Sequence, residues 1–354
     1  MTTRELWLNI MHYKEFDRMP VIHWGGWGET RKCWIEEGIP EDIPEHEYFN
    51  ASPLQYPVNV DVYLHPKFKE ETIEETDEYI ILRQQDGVIA QHWKNKSSIP
   101  HYIDFTLKDA GEWDDYKRRL QPDPIRVPVD LEEKITKAKA AECPIVIDTG
   151  SMIGWIRDWM GVENLAYLCY DNRDLLSEMV DTISNLVCWG LDQVLPKVKV
   201  DCGWGWEDIC FRSGPLISPA VFKKCVVPGY RKISNKLLQY GVELYVVDCD
   251  GLIDDLLPLW LEGGVNVMFP IEIGSWECEP RAFRQKYGRE LRLFGGIDKI
   301  EIAKGPKAID AEIARRIPLM KDGGFIPLPD HLIPPDVSLD NYKYYLERIR
   351  NLRF

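Results

Sequence analysis

The sequence predicts a single (β/α)8 barrel, an α/β fold of the TIM-barrel class. Three observations carry this prediction: short apolar runs alternate with helix-length segments, most runs end in polar residues, and no glycine-rich phosphate loop opens a helix. Such alternation without a phosphate loop favours a closed barrel over a doubly wound sheet. No linker rich in glycine, serine or charge divides the chain, so residues 1–354 are treated as one domain.

The amino-terminal region departs from the regular pattern. Residues 3–16 have helical periodicity, and a first strand then runs into the glycine-rich segment HWGGWGE. Three side chains suited to a binding site follow this strand: His23, Trp24 and Trp27. Residues 28–140 form an irregular elaboration within the same domain, where the alternating flanks of Asp86-Gly87 predict a β-hairpin. We expect one barrel strand to lie hidden here, because the rest of the chain supplies seven.

From residue 143 onward, each apolar run is followed by a helical segment. The run Val242 to Val247 is typical, because it stops abruptly at Asp248, Cys249 and Asp250. Other runs end in the same manner, at Asp148, Glu207 with Asp208, Glu272, Asp298, and Asp330 with His331. The carboxyl ends of parallel barrel strands meet at one rim, and chemistry is concentrated there. We therefore expect these polar groups to converge.

The composition disfavours several classes of partner. The formal net charge of −15 disfavours binding to nucleic acid or to an anionic membrane. No run approaches the length of a membrane span, and the amino-terminal segment is too polar for a signal peptide. The nine cysteines are scattered without a CxxC pair, which predicts buried thiols rather than disulfides. We expect a soluble cytoplasmic protein.

Five segments in the second half of the chain carry a family resemblance through their order and spacing. They are SGPLISPAVFKKCVVPGYRKI, a strand ending in D-x-D-G, EGGVNVMFPIE, LFGGIDK and GGFIPLPDHLIPPDVSLDNYKYYLE. Together they resemble the uroporphyrinogen decarboxylase superfamily from about residue 200 to the end, and FDRMPVIHWG is similar to the family's opening. The resemblance implies a (β/α)8 barrel with an open cleft at the carboxyl ends of its strands.

The superfamily resemblance implies two chemistries. One is cofactor-free decarboxylation of the acetate groups of a porphyrinogen, where an arginine-rich stretch near the amino terminus binds the substrate carboxylates. The other is methyl transfer to or from cobalt, by methyltransferases that work with corrinoid proteins. In this chain the loop HWGGWGETRKCW occupies the place of the arginine motif and holds only Arg31 and Lys32. We therefore favour the methyltransferase branch.

A zinc-binding motif of the thiol-activating methyltransferases is altered in this chain. Those relatives have H-x-C-G at this strand end and a later cysteine. Here Asp248 stands at the histidine position, Asp250 at the first cysteine position, and Asp330 or His331 near the second. Without these thiolates, the chain resembles the substrate-demethylating component of anaerobic O-demethylases. That resemblance implies methyl transfer from a small, aromatic methyl ether to cobalt(I) on a separate corrinoid protein.

Each candidate residue then has an expected role. Displacing an alkoxide or phenoxide requires that the leaving oxygen be protonated or polarised by a metal. The candidate catalytic residues are Asp248, Asp250, Glu207 and His331. The candidate substrate-binding residues are His23, Trp24, Trp27, Trp204, Trp206 and Asp298. The candidate ligands of a Zn²⁺ ion are Asp250, Glu272, Cys278 and His331.

The sequence also makes predictions about side-chain placement. We expect one of Asp248 and Asp250 to face the cleft while the other caps the next helix, and one of Glu207 and Asp208 to be structural. Trp204 and Trp206 should share a face, because they are two residues apart on an extended segment. Two other functions stay open: cofactor-free decarboxylation of a porphyrinogen or smaller polyacid, and noncatalytic binding of a corrinoid or a partner protein.

Overall fold

The computed structural model describes residues 1–95, 99–274 and 278–354. Its strands in chain order are β1 Ile22–His23, β2 Ser52–Pro53, β3 Tyr56–Pro57, β4 Glu71–Glu75, β5 Tyr79–Arg83, β6 Ile89–Trp93, β7 His101–Asp104, β8 Ile145–Asp148, β9 Cys202–Trp206, β10 Cys210–Phe211, β11 Gly214–Pro215, β12 Leu244–Asp248, β13 Val267–Ile271, β14 Arg292–Ile297 and β15 Phe325–Pro329. The boundaries of β8, β9, β12, β13, β14 and β15 fall at the predicted apolar runs.

The helices alternate with these strands along the second half of the chain. In chain order they are α1 Thr3–Met11, α2 Gly28–Glu36, α3 Glu45–Tyr48, α4 Ala110–Arg119, α5 Leu131–Ala138, α6 Gly154–Asp171, α7 Arg173–Val194, α8 Pro219–Val221, α9 Val227–Gln239, α10 Leu257–Gly263, α11 Pro280–Tyr287, α12 Lys299–Ala303, α13 Pro306–Asp322 and α14 Leu339–Arg350. A π-helical turn, Phe222–Val226, joins α8 to α9. Among the described residues, no helix is both long and apolar enough to cross a membrane.

The parallel strands form a closed ring. Seven of them form one sheet in the order β15-β14-β13-β12-β9-β8-β3, and β1 pairs in parallel with β2. Backbone hydrogen bonds complete the closure, from Trp27 N to Ile333 O and from Ile333 N to Gly25 O, each 3.1 Å long. The predicted (β/α)8 barrel is therefore confirmed.

The hidden barrel strand lies at residues 52–57, within the predicted irregular region. It is split, because Ser52–Pro53 pairs with β1 while Tyr56–Pro57 pairs with β8. Prolines cannot donate a backbone hydrogen bond and interrupt an apolar strand pattern. Because Pro53 and Pro57 interrupt the apolar pattern, this strand could not be recognised from apolar runs in the sequence.

Aromatic side chains fill the centre of the ring. The Trp204 ring centroid lies 5.2 Å from that of Phe269 on β13, which in turn lies 5.1 Å from Phe294 on β14. Trp7 of α1 packs edge-on against Phe294 at 6.4 Å and is fully buried. The ring is thus a packed core, as expected for this fold. The polar residues at the strand ends lie at its carboxyl rim, which we call the mouth.

The irregular region carries a second, antiparallel sheet. The predicted hairpin around Asp86-Gly87 is confirmed as β5 and β6, and β4 and β7 extend it to four strands in the order β4-β5-β6-β7. Phe105, which directly follows β7, packs against helix α6 at Gly161, where φ is positive at 77°. A side chain at Gly161 would lie 2.5 Å from the ring of Phe105, so only glycine allows this close approach.

Two helices of the second half of the chain begin at capping serines. Ser218 Oγ accepts a hydrogen bond from Val221 N at 3.3 Å, and Ser338 Oγ accepts one from Asn341 N at 3.3 Å. Helix α1 ends at Met11, earlier than its predicted pattern, because Tyr13 adopts a positive φ of 55°. These caps fix the loops from which the mouth is built.

Candidate active site

Three carboxylates come together at the mouth. Oxygens of Asp208, Asp248 and Asp250 lie within 4.8 Å of one another, and we call these residues the carboxylate cluster. The expectation that Asp248 and Asp250 would separate was wrong. Residues two apart in an extended segment project to the same side. The chain stays extended long enough past β12 for both aspartates to reach the cluster.

The backbone around the cluster is tightly constrained. Asp208 has a positive φ of 45°, which is uncommon for any residue except glycine and best tolerated by Asn and Asp. Its Oδ1 accepts a hydrogen bond from Asp250 N at 3.3 Å. Gly251 has a φ of 91°, and a Cβ there would lie 2.3 Å from Cys210 O. The loops after β9 and β12 are therefore held against each other.

Negative charge is crowded in the carboxylate cluster. Burial and then the charge of Asp250 raise the pKa of Asp208 to about 6. Burial, followed by the charges of Asp208 and Asp250, also raises the pKa of Asp248 well above its usual range. Oδ1 of Asp250 is buried and has no hydrogen-bond partner. Like charges this close require a proton or a cation to compensate them.

His331 faces the cluster from the loop after β15. Its Nε2 lies 3.3 Å from Oδ2 of Asp250, and the two side chains are 21% and 30% exposed. Burial lowers the pKa of His331, but the hydrogen bond to Asp250 and the charge of that carboxylate outweigh it, so the net shift is upward. The pair can therefore hold a proton at neutral pH within reach of solvent.

Glu272 and Lys299 extend the polar wall of the mouth. Glu272 Oε2 accepts a hydrogen bond from Gly251 N at 3.1 Å. Burial and then the charge of Asp250 raise the pKa of Glu272. Lys299 Nζ lies 3.2 Å from Oδ1 of the buried Asp330 and 3.8 Å from Glu272. The structure thus brings Asp250, Glu272 and His331 together, as expected from their strand ends.

Glu207 lies in a different environment from its neighbour Asp208. It is fully buried and accepts hydrogen bonds from the backbone N–H groups of 152, 153 and 154 at 2.8, 2.9 and 2.8 Å. Ser151 Oγ and the Tyr230 hydroxyl donate to it as well. This geometry is that of a structural carboxylate at the start of α6, so Glu207 has no part in our mechanism. The expected division between Glu207 and Asp208 matches these positions.

Two predicted substrate-binding residues have internal partners. The nitrogens of His23 lie 2.8 Å from the Tyr342 hydroxyl and 2.7 Å from Glu45 Oε2, which leaves no ring nitrogen for a ligand. Asp298 caps α12 by accepting a hydrogen bond from Ile300 N at 2.8 Å. Both placements favour a structural role. Sequence could not indicate the His23 contacts, because Glu45 and Tyr342 come from remote segments.

The four residues predicted to bind zinc do not form one group. Among the described residues, the ligand atoms that lie close enough to share an ion belong to Asp208, Asp248 and Asp250. Cys278 is partly buried, and burial, followed by the charges of Asp254 and Glu279, raises the pKa of its thiol to about 12. A thiol in this state is a poor metal ligand at neutral pH. Of the predicted set, only Asp250 lies in the carboxylate cluster.

Aromatic rings line the inner side of the mouth. Trp24 packs edge-on against Phe269 with ring centroids 4.6 Å apart, and Trp204 contacts the same ring. Trp206 pairs in register with Asp248. The Arg157 guanidinium lies 5.3 Å from the centroid of a Trp206 ring. Trp24 and Trp27 also contact the ring of His331, whereas Trp204 packs in the core.

Sequence reasoning left three residues out of the candidate set. Asp208 was separable from Glu207 only through its backbone conformation. Lys299 directly follows Asp298, and a strand-end motif extended by one residue would have included it. Arg157 donates to Asp208 O and pairs with Asp158 at 2.8 Å, but it lies inside a helix and carries no motif.

The fold and the mouth define a (β/α)8 barrel with an acidic, aromatic-lined site at the carboxyl ends of its strands. The chain belongs to the uroporphyrinogen decarboxylase family, whose model, described as Uroporphyrinogen decarboxylase (URO-D), matches residues 95–352. Among solved structures, a methyltransferase from Methanosarcina mazei is similar with a TM-score of 0.61 and 15% sequence identity. The likeness covers 99% of this chain and 98% of that chain, and it shows a shared fold. No curated protein matches the chain.

Proposed function

We propose that this protein is a methyltransferase that removes the methyl group of a small, uncharged, aromatic methyl ether and transfers it to cob(I)alamin carried by a corrinoid protein. The observation that carries the proposal is the His331–Asp250 pair, which sits beside two further carboxylates at an aromatic-lined mouth. Family membership and the fold shared with a methyltransferase support the reaction class.

The reaction needs an acid at the leaving oxygen. The bond between the methyl carbon and the ether oxygen breaks, and its electron pair stays on oxygen. A proton from the His331–Asp250 pair or from Asp208 converts that oxygen to a neutral hydroxyl. The methyl group leaves to the cobalt(I) of the corrinoid substrate, which supplies the electron pair of the new bond. General acid catalysis of this kind contributes roughly 10²–10⁴-fold.

The pKa values of the cluster suit this role. Asp208, with a pKa of about 6, and His331, whose pKa is raised, can both carry a proton near neutral pH. An acid donor works best when its pKa lies near the operating pH. After transfer, the proton is replaced from solvent, because Asp250 and His331 are both partly exposed.

The same carboxylates fit a divalent cation. Asp208, Asp248 and Asp250 would hold it, and the buried, unpartnered Oδ1 of Asp250 is the atom that most needs such compensation. When bound, Zn²⁺ would supply positive charge at the leaving oxygen. An all-oxygen set also suits harder cations such as Mg²⁺ or Mn²⁺.

The charges around the mouth disfavour a polyanionic substrate such as a porphyrinogen. Lys299 is paired with Asp330 and Glu272, and Arg157 with Asp158. Arg31, left from the replaced arginine motif, pairs with Glu45 and donates to the carbonyl of Pro40 at 3.0 Å. These three cations are thus already engaged. Substrate carboxylates would also meet the negative cluster, so we favour an uncharged methyl donor.

The test uses the purified protein with cob(I)alamin and a panel of methoxylated arenes, and it follows methylcobalamin by its absorbance. We expect transfer from methoxybenzene and methoxyphenols, and weaker use of methoxybenzoates. Asp250→Asn should lose activity, while Asp181→Asn, which alters an exposed carboxylate on α7, should not. Absence of methylcobalamin with every donor, or release of carbon dioxide from uroporphyrinogen without a corrinoid, would overturn the proposal.

A further inference from the structure

The imidazole of His331 is enclosed by two tryptophans. Trp27 stacks on it with ring centroids 5.4 Å apart and an interplanar angle of 19°. Trp24 approaches at 5.9 Å with an angle of 56°, so it does not stack. Asp250 faces Nε2 at 3.3 Å. One face, one edge and one nitrogen of the ring are therefore each in contact with a different partner.

Hydrogen bonds hold the backbone around Trp27 in place. Its backbone N–H donates to Ile333 O at 3.1 Å, and Ile333 N donates to Gly25 O at 3.1 Å, so the segment from Gly25 to Trp27 is tied to the loop that carries His331. Thr30 Oγ1 donates to the same Ile333 carbonyl at 2.6 Å. The loop after the first strand and the loop after the last strand thus form one hydrogen-bonded unit around the imidazole.

We propose that Trp27 is a positioning residue for His331, and that its indole face holds the imidazole in the orientation that directs Nε2 at Asp250. This inference rests on the proposed function for its catalytic consequence, because the pair it aligns is the acid of the reaction. It gives Trp27 a role different from the substrate-binding role expected from the sequence.

The ring of a histidine side chain rotates readily about its terminal torsion. The terminal torsion of a histidine side chain has broad minima, so the ring plane is set by packing and not by rotamer preference. Stacking against the Trp27 indole restricts that torsion, and rotation of the ring would move Nε2 away from Asp250. Displacement of a catalytic group by about 1 Å can cost roughly 10²-fold in rate. Trp24 cannot replace this restraint, because its ring is already packed against Phe269.

A substrate platform and a positioning residue differ in their kinetic signatures. If Trp27 bound the substrate ring, its truncation would raise KM and leave kcat nearly unchanged. A positioning residue acts on the reacting geometry, so its truncation lowers kcat and leaves KM nearly unchanged. The orientation of the His331 ring can also be measured without any turnover.

The experiment compares Trp27→Leu, Trp27→Phe and the control Trp93→Leu, which alters a tryptophan on the outlying antiparallel sheet. The kinetic readouts are kcat and KM, and circular dichroism verifies the fold of each variant. The spectroscopic readout is the ring ¹⁵N signals of labelled histidine, with the His331 signal assigned by its loss in His331→Gln. We expect Trp27→Leu to lower kcat about 10- to 100-fold and to change the His331 signal. Trp27→Phe, which keeps an aromatic face, should restore both, and Trp93→Leu should leave both unchanged.

The outcomes separate this inference from the proposed function. An unchanged His331 signal in Trp27→Leu, or a raised KM with parental kcat, overturns the positioning role and leaves the methyltransferase proposal in place. A changed signal in a protein that transfers no methyl group to cobalamin overturns the proposed function and supports the positioning role. If Trp27→Leu does not fold, Trp27→Met takes its place: an altered His331 signal with a lowered kcat supports the inference, and an unaltered signal contradicts it.

Discussion

Nε2 of His331 lies 3.3 Å from Oδ2 of Asp250, which joins the loop after β15 to the loop after β12. Strands β13 and β14 lie between β12 and β15 in the ring. The contact therefore spans the mouth, and it places a group that can carry a proton beside two more acids.

Removing either partner of this pair should abolish most of the methyl transfer. We expect His331→Gln and Asp250→Asn each to lower kcat by about 10²–10⁴-fold, because the leaving oxygen loses its acid. The double variant should be little worse than either single variant, since groups that act as one unit show non-additive losses. Single-turnover rates with cob(I)alamin provide the measurement, and fully additive losses would show that the two residues act separately.

The stability of the metal-free protein should depend on pH through Asp208. Its native pKa is about 6, whereas an unfolded aspartate has a pKa of about 3.9. The folded state therefore binds this proton more tightly, so its stabilising contribution is complete below about pH 4 and is lost as pH rises through about 6. The loss should amount to at most about 3 kcal/mol.

The matched variant for this effect is Asp208→Asn, because asparagine tolerates the positive φ at this position. Urea titrations at pH 4, 5, 6 and 7 in the presence of a chelator give the free energy of unfolding of each protein. We expect the variant to gain stability relative to the parent between pH 4 and 6. If the free energies of unfolding of the two proteins changed in parallel with pH, the pKa of Asp208 would not be raised in the folded state.

The carboxylate cluster should bind one divalent cation. Three carboxylates within 4.8 Å lose mutual repulsion when a cation joins them. At a concentration 100 times its Kd, a bound ion should add about 2.7 kcal/mol to the free energy of unfolding. Thermal melts with Zn²⁺, Mn²⁺ and Mg²⁺, together with elemental analysis of the purified protein, measure this. Asp248→Asn should reduce the increase in Tm that the cation causes. If the parent protein contains no metal and its Tm does not change with any of the three cations, such a site is excluded.

Glu207 should matter for stability and not for chemistry. It is buried and accepts hydrogen bonds from three backbone N–H groups, so Glu207→Ala leaves those donors without a partner. The expected loss is about 3–5 kcal/mol in the free energy of unfolding. Urea denaturation measures it. The folded fraction of the variant should retain a KM near that of the parent, and a selective loss of kcat at full stability would contradict a structural role.

The ring and most of its strand ends could be predicted from sequence. Buried parallel strands are apolar runs that stop at polar residues, and this pattern alone located Asp250, Glu272 and His331 at one mouth. The capping serines, Ser218 and Ser338, were also recognisable, because a hydroxyl before a helix has a local hydrogen-bonding reason. These features depend on residues close together in the chain.

The features that could not be predicted depend on partners far apart in the chain. The binding role expected for His23 depends on whether Glu45 and Tyr342 occupy its nitrogens, and no local pattern encodes that. Asp208 and Glu207 are adjacent acids with the same sequence signal, and they are told apart by the positive φ at Asp208. Cys278 was included in the predicted metal set because a thiolate is a good zinc ligand, but the sequence does not give its distance from the other candidate ligands.

The four strands β4 to β7 pair only with one another among the described residues, and Phe105, directly after β7, packs against Gly161 of helix α6. Tyr102 of this sheet lies close enough to Asp158 for that charge to add to the burial that raises its pKa. The sheet therefore shares no strand pairing with the barrel among the described residues, and it lies near the Arg157–Asp158 ion pair. Replacing these four strands would therefore change the surface beside Asp158 without altering the hydrogen-bonded register of any barrel strand.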